Sequence, residues 1–108
     1  MSLVTSHVLD ATTGEPAAQV PVRLERLDGS LVAAATSDDT GRVGDLGPDD
    51  LPGGVYRLVL DSASYFRRRR APTFYPEVVV TFSVTDTGRH YHLPVLLSPF
   101  GYTTYRGS

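Results

Sequence analysis

Three histidines carry most of the proton-transfer capacity of this 108-residue chain: His7, His90 and His92. Imidazole is the side chain that exchanges a proton near neutral pH. His90 and His92 are two residues apart, so on a strand they share a face. Such a pair can belong to a surface strand, serve as acid and base, or chelate zinc. Zinc would want a further histidine, cysteine or carboxylate ligand, and none follows at a short spacing. His7 sits among Leu3, Val4, Val8 and Leu9, a setting that also suits a merely satisfied histidine. Thr5 and Ser6 offer it hydroxyl partners. Arg42 follows Thr40-Gly41, a turn that can aim a guanidinium back toward a strand. Its planar fork suits carboxylates, imides and enolates. The chain closes on Gly101-Tyr102-Thr103-Thr104-Tyr105-Arg106-Gly107-Ser108. Tyrosines bring large apolar faces with polar tips, so this tail is expected to be packed down. Packed, it would hold Arg106 and Ser108 at a defined place.

The elements that must position these groups read as β throughout. Short β-branched runs are punctuated by glycine and proline. Residues 3–9 form a first strand, with Leu3, Thr5, His7 and Leu9 on one face. Residues 20–27 alternate, Val20, Val22 and Leu24 opposing Arg23 and Glu25. Asp28-Gly29 marks a hairpin to residues 31–36. Residues 37–54 are mostly loop, and residues 55–60 form another strand. A single short helix fits residues 61–69, capped by Asp61 or Ser62 and stopped by Pro72. The run at 78–84 reads as a central strand. Residues 90–97 and 102–106 supply the last strands. Seven or eight strands at this spacing predict an all-β antiparallel sandwich, with residues 1–108 as one domain.

Bulk properties exclude several classes. The net charge of −2 gives no general attraction to nucleic acid or membrane. No apolar run approaches the roughly 20 residues that span a bilayer. The run Arg67-Arg68-Arg69-Arg70 lacks the interleaved aromatics of a nucleic-acid surface and fits the exposed end of the helix. The chain has no cysteine, which favours a reducing compartment. The N-terminus does not read as a signal peptide, so a soluble cytoplasmic protein is expected. No Gly-rich phosphate loop or nucleophile elbow is present.

Three segments together resemble the transthyretin-like 5-hydroxyisourate hydrolases. They are Ser6-His7-Val8-Leu9-Asp10 continuing through Gly14-Glu15-Pro16-Ala17, then Thr40-Gly41-Arg42, then residues 90–102 with Tyr105-Arg106-Gly107-Ser108. Thr40 stands where that family commonly has an acidic residue. The resemblance covers essentially the whole chain, with Tyr65-Phe66 and residues 74–78 included. It implies a sandwich of two four-stranded sheets with one short helix. It also implies a homotetramer, a dimer of dimers, with sites where the dimers meet. The implied reaction opens the ring of 5-hydroxyisourate to 2-oxo-4-hydroxy-4-carboxy-5-ureidoimidazoline, with no metal and no organic cofactor. The implied catalytic residues are His7, Arg42, His92 and Ser108. Tyr105, Arg106 and Gly107 would bind substrate.

On this resemblance either His7 or His92 is the general base toward water, Arg42 steadies negative charge, and Ser108 contacts substrate or water. Ser108 as a covalent nucleophile is the weaker reading, since no acidic group completes a triad. Two rival readings differ in class. A transthyretin-like carrier would bind a small ligand without chemistry and should lack the histidine pair and the Tyr-Arg-Gly-Ser end. A structural sandwich module of a surface protein would suit residues 14–58 but leaves the tail unexplained.

Overall fold

The structure is a computed structural model and describes residues 2–108. Its strands are β1 (Val4–Asp10), β2 (Glu15–Pro16), β3 (Pro21–Arg26), β4 (Leu31–Thr36), β5 (Arg42–Val43), β6 (Gly54–Leu60), β7 (Val78–Val84), β8 (Tyr91–Ser98) and β9 (Gly101–Thr104). One helix, α1 (Ser62–Arg68), follows β6. One sheet runs β4-β3-β6-β7. The other runs β2-β1-β8-β9, with β5 also on β1. β2 pairs with Leu9 and Asp10, while β5 pairs with Ser6 and His7. The two dipeptide strands therefore share one edge position, and each sheet has four positions, as a transthyretin-like sandwich requires.

One pairing departs from the antiparallel expectation. β1 and β8 run parallel, from Val4 beside Tyr91 to Asp10 beside Leu97. A parallel pair cannot be closed by a hairpin and needs a long crossover. Here the crossover runs through the whole β4-β3-β6-β7 sheet and the helix, with β2 and β5 along the way.

The sandwich closes because alternate residues of both sheets are apolar. Val4, Val8, Val22, Leu24, Leu58, Leu60, Val95 and Leu97 are fully buried between the sheets. Each such side chain stabilises the fold by about 1.5–3 kcal/mol. The expected face of β1 holds together for Thr5, His7 and Leu9, but it is the outer face. Val4, Ser6, Val8 and Asp10 fill the inner one. The β7 run is an edge strand, contrary to the central placement expected from its β-branched residues. It buries Val78 and Val84 at its ends and leaves Val79, Thr81 and Ser83 open.

The helix begins as its sequence dictates: the Asp61 carboxylate accepts from the Ser64 amide at 3.0 Å. Tyr65 and Phe66 face the core in an edge-on pair. The Tyr65 hydroxyl donates to the buried Asp10 carboxylate at 2.8 Å, and Arg69 Nε lies 3.5 Å from the same oxygen. Burial pushes the Asp10 carboxyl up, but the hydrogen bonds from Tyr65 and Thr12 outweigh it and hold the group below its usual range. The Tyr65 phenol is pushed up to about 12, by burial first and then by Asp10. Arg68 donates to the Ala18 carbonyl at 3.3 Å. The four arginines are exposed at the helix end, as expected; Arg69 ties the helix to β1 and Arg68 ties it to the segment between β2 and β3.

Candidate active site

The site is assembled on the outer face of the β1–β8 pair. Thr5 is directly beside His92, and His7 is beside Pro94. On the other side of β1, His7 is the register partner of Arg42. One strand thus carries Thr5 and His7 on a common face, between Arg42 on its edge and His92 on its parallel neighbour.

The Arg42 turn is built by Asp38 and Gly41. The Asp38 carboxylate accepts from the Thr40 amide at 2.9 Å, the Thr40 hydroxyl at 2.7 Å and the Arg42 amide at 3.0 Å. The Thr40 side chain and the Arg42 amide hold that carboxyl below its usual range. Gly41 adopts φ +80°, and a Cβ there would overlap the Val8 carbonyl oxygen. Glycine is required by both the conformation and the close approach. The Thr40 carbonyl then accepts from His7 Nε2 at 2.9 Å. A carbonyl only accepts, so His7 carries its proton on Nε2.

His92 is half-buried, with Nδ1 2.8 Å from Thr5 Oγ1. The His90 ring stacks on it at 26°, with centroids 6.2 Å apart. Burial, followed by the positive charges available to His90, His7 and Arg42, lowers the His92 pKa below 6.5. His92 is therefore neutral at pH 7, with a lone pair on one ring nitrogen.

The tail is tied down, as its composition predicts. β9 pairs with β8, the Thr104 hydroxyl donates to the Pro94 carbonyl at 2.9 Å, and the Gly107 amide donates to the His92 carbonyl at 2.8 Å. The Arg106 guanidinium lies 4.5 Å from the centre of the Tyr91 ring. Tyr91 is held in turn by accepting from the Thr85 and Asp86 amides. These contacts deliver Ser108 to a cavity of about 300 Å³ that it shares with Arg42, His92, Thr5 and His90.

The structure brings three of the predicted residues, Arg42, His92 and Ser108, to one cavity. His7 is one strand position away, turned to Thr40. Tyr105 and Arg106 face a second cavity of about 310 Å³ with Val80, Phe82 and Tyr91. In the single chain they anchor the tail instead of lining the Arg42 cavity. Gly107 backs the His92 ring: a Cβ there would stand 2.7 Å from His92 Cδ2. Thr5, which touches both His90 and His92, is absent from the sequence-derived set. Period-two spacing places it on the His7 face, but only the β1–β8 register reveals its partners.

Among the described residues, no cluster of histidine and carboxylate side chains is arranged to hold a metal ion. No helix there is long and apolar enough to cross a membrane.

Comparison with known proteins agrees with this architecture. The model of the HIUase/Transthyretin family matches residues 4–107. The 5-hydroxyisourate hydrolase of Salmonella dublin is 40% identical over 99% of this chain and 82% of that protein. That of Caulobacter vibrioides is 40% identical over 100% of both. The solved structure of Klebsiella pneumoniae 5-hydroxyisourate hydrolase superposes with a TM-score of 0.89 at 34% identity, covering 97% of this chain and 98% of that one. This chain belongs to the HIUase/Transthyretin family and, like those curated relatives, is an enzyme, a hydrolase.

Proposed function

We propose that this protein hydrolyses 5-hydroxyisourate to 2-oxo-4-hydroxy-4-carboxy-5-ureidoimidazoline in urate degradation, using the cavity shared by Arg42, His92 and Ser108. The observation that carries this reading is the convergence of a donor-only cation, a neutral imidazole and a hydroxyl from three separate elements on one cavity. Hydrolysis of a cyclic amide needs those three functions: a proton acceptor for water, a stabiliser for the oxyanion and a group that orients either.

His92 is the base in this reading. Its depressed pKa keeps it unprotonated, and it lines the cavity of Arg42 and Ser108, which His7 does not. Water loses a proton to His92 as its oxygen adds to the ring carbonyl. The C–N bond then breaks, and His92 returns the proton to the departing nitrogen. A base matched to its working pH contributes about 10²–10⁴-fold. Arg42 supports negative charge on the carbonyl oxygen, and Ser108 holds the water or substrate. His7 orients the Arg42 turn through Thr40. Tyr105, Arg106 and Gly107 act on substrate by fixing where Ser108 stands. No metal or organic cofactor enters this scheme.

The same reading makes residues 1–108 one domain, assembled as a homotetramer of paired dimers. The half-open Tyr102 on edge strand β9, Tyr105 just beyond it and Val79 on edge strand β7 support such an assembly, since apolar edge strands call for a cover. The cysteine-free composition fits the cytoplasm.

The test is a coupled ultraviolet assay in which urate oxidase generates 5-hydroxyisourate in place. Its decay should accelerate with this protein and return to the spontaneous rate with His92→Ala. A folded protein that leaves the decay unchanged would put the carrier reading first.

A further inference from the structure

The Thr5 hydroxyl stands between two imidazoles. Its Oγ1 is 2.8 Å from His92 Nδ1 and 2.9 Å from His90 Nε2. Thr5 is only 7% exposed, so solvent does not compete freely for that hydroxyl. A hydroxyl owns one proton. Between two neutral imidazoles it donates to one and accepts from the other. Only two arrangements satisfy all three groups. In one, His92 donates from Nδ1 to Thr5, Thr5 donates to His90, and His92 Nε2 is bare. In the other every bond is reversed, and His92 carries its proton on Nε2.

Arg42 separates the two. Its guanidinium has five N–H donors and no acceptor, and it lines the same cavity as His92. A bare ring nitrogen is favoured beside such a cation, and an N–H is disfavoured. We propose that Thr5 is a positioning residue that fixes His92 in its Nδ1–H tautomer, by accepting from His92 and donating to His90, so that Nε2 is the bare nitrogen available to the cavity. This rests on the reading of His92 as the base and supplies the atom that does the work. It also gives His90 a task, as the acceptor at the far end of the relay. The β1–β8 register is what makes the relay possible, since Thr5 and His92 are direct partners across the parallel pair.

The test separates this inference from the hydrolase reading because its main readout needs no substrate. Protein labelled with ¹⁵N-histidine is examined by long-range ¹H–¹⁵N correlation, in the wild type, Thr5→Val and Thr5→Ser. Wild type and Thr5→Ser should show His92 protonated on Nδ1. Thr5→Val, which keeps the shape and loses the hydroxyl, should shift His92 toward the Nε2–H form. In the coupled assay Thr5→Val should lose about tenfold in kcat with KM little changed, roughly the worth of one hydrogen bond, and Thr5→Ser should recover it. A wild-type His92 protonated on Nε2 overturns the proposal, and that result requires no variant to fold. An unchanged tautomer in folded Thr5→Val overturns it equally. A correct tautomer in a protein without hydrolase activity would remove the proposed reaction and leave the relay standing.

Discussion

Replacing Gly107 by alanine would press a methyl group against the His92 ring. The added Cβ would stand 2.7 Å from His92 Cδ2, and 3.1 and 3.2 Å from Pro94 Cγ and Cδ. Carbon atoms in comfortable contact sit about 3.5–4.0 Å apart, so something must retreat by about 1 Å. Pro94 is buried within β8 and cannot give way easily. The half-buried His92 ring can, as can the tail itself. Gly107 is not in the left-handed region, so the substitution leaves the backbone unstrained and tests the packing of the tail on His92 and Pro94. A misplacement of about 1 Å in a reacting group can cost about 10²-fold in rate. That factor corresponds to about 2.7 kcal/mol of transition-state stabilisation. Gly107→Ala should therefore lower kcat about 10²-fold in the coupled 5-hydroxyisourate assay. The fold should persist, because overpacking of this kind costs about 1–3 kcal/mol. A variant with kcat within about twofold of wild type would refute the reasoning: either the tail does not pack on His92, or His92 is not the reacting group.

The acid side of the rate profile should follow His92. Its pKa is depressed below 6.5, so kcat/KM should hold as pH falls to that value and drop only below it; an acid limb above 6.5 would contradict this. The unfolded chain binds this proton at higher pH than the folded one, so the His92 contribution to stability is present above 6.5 and is lost as pH falls through the depressed value. Tyr65→Phe removes a hydrogen bond from the buried Asp10 carboxylate and should cost about 1–3 kcal/mol in denaturant unfolding, with activity per folded molecule retained. Asp10 is held below 3.8, so its contribution is present above that pH and lost as pH falls through the lowered value; Tyr65→Phe should weaken that acid dependence. Two residues added after Ser108 should lower kcat about 10²-fold while leaving the circular dichroism spectrum intact, and a fully active extended protein would argue against a direct role for Ser108.

Elements with a local signal were readable before the fold was known. Asp28-Gly29 announced its hairpin because the turn chemistry is contained in two residues, and the Asp61 cap announced the helix for the same reason. The packed tail was legible from its tyrosines. Long-range facts were not. Nothing in residues 4–10 says that their neighbour is a parallel strand near the other end of the chain, so the meeting of Thr5, His90 and His92 was invisible. Which face of β1 is the inner one is not legible locally, because that face mixes Val4 and Val8 with Ser6 and Asp10, whose polar groups are satisfied only by partners elsewhere. Ser6 donates to the Leu93 carbonyl, and Asp10 accepts from Tyr65. β7 looked central because composition alone does not show which strands lack a second neighbour. The stacking of Arg106 on Tyr91 depends on a ring fifteen positions upstream that no spacing rule connects to it.

The parallel joining of β1 and β8 also governs when the chemistry can exist during folding. Thr5 and His92 are 87 positions apart, and closing a loop of that length costs about 4 kcal/mol of chain entropy before any contact compensates. The β4-β3-β6-β7 sheet is made of antiparallel neighbours and contains neither end of the chain. A half-folded molecule with that sheet complete still has no imidazole relay, no seat for Ser108 and no Arg42 edge. Activity in a refolding chain therefore cannot appear before its first and last long strands have joined.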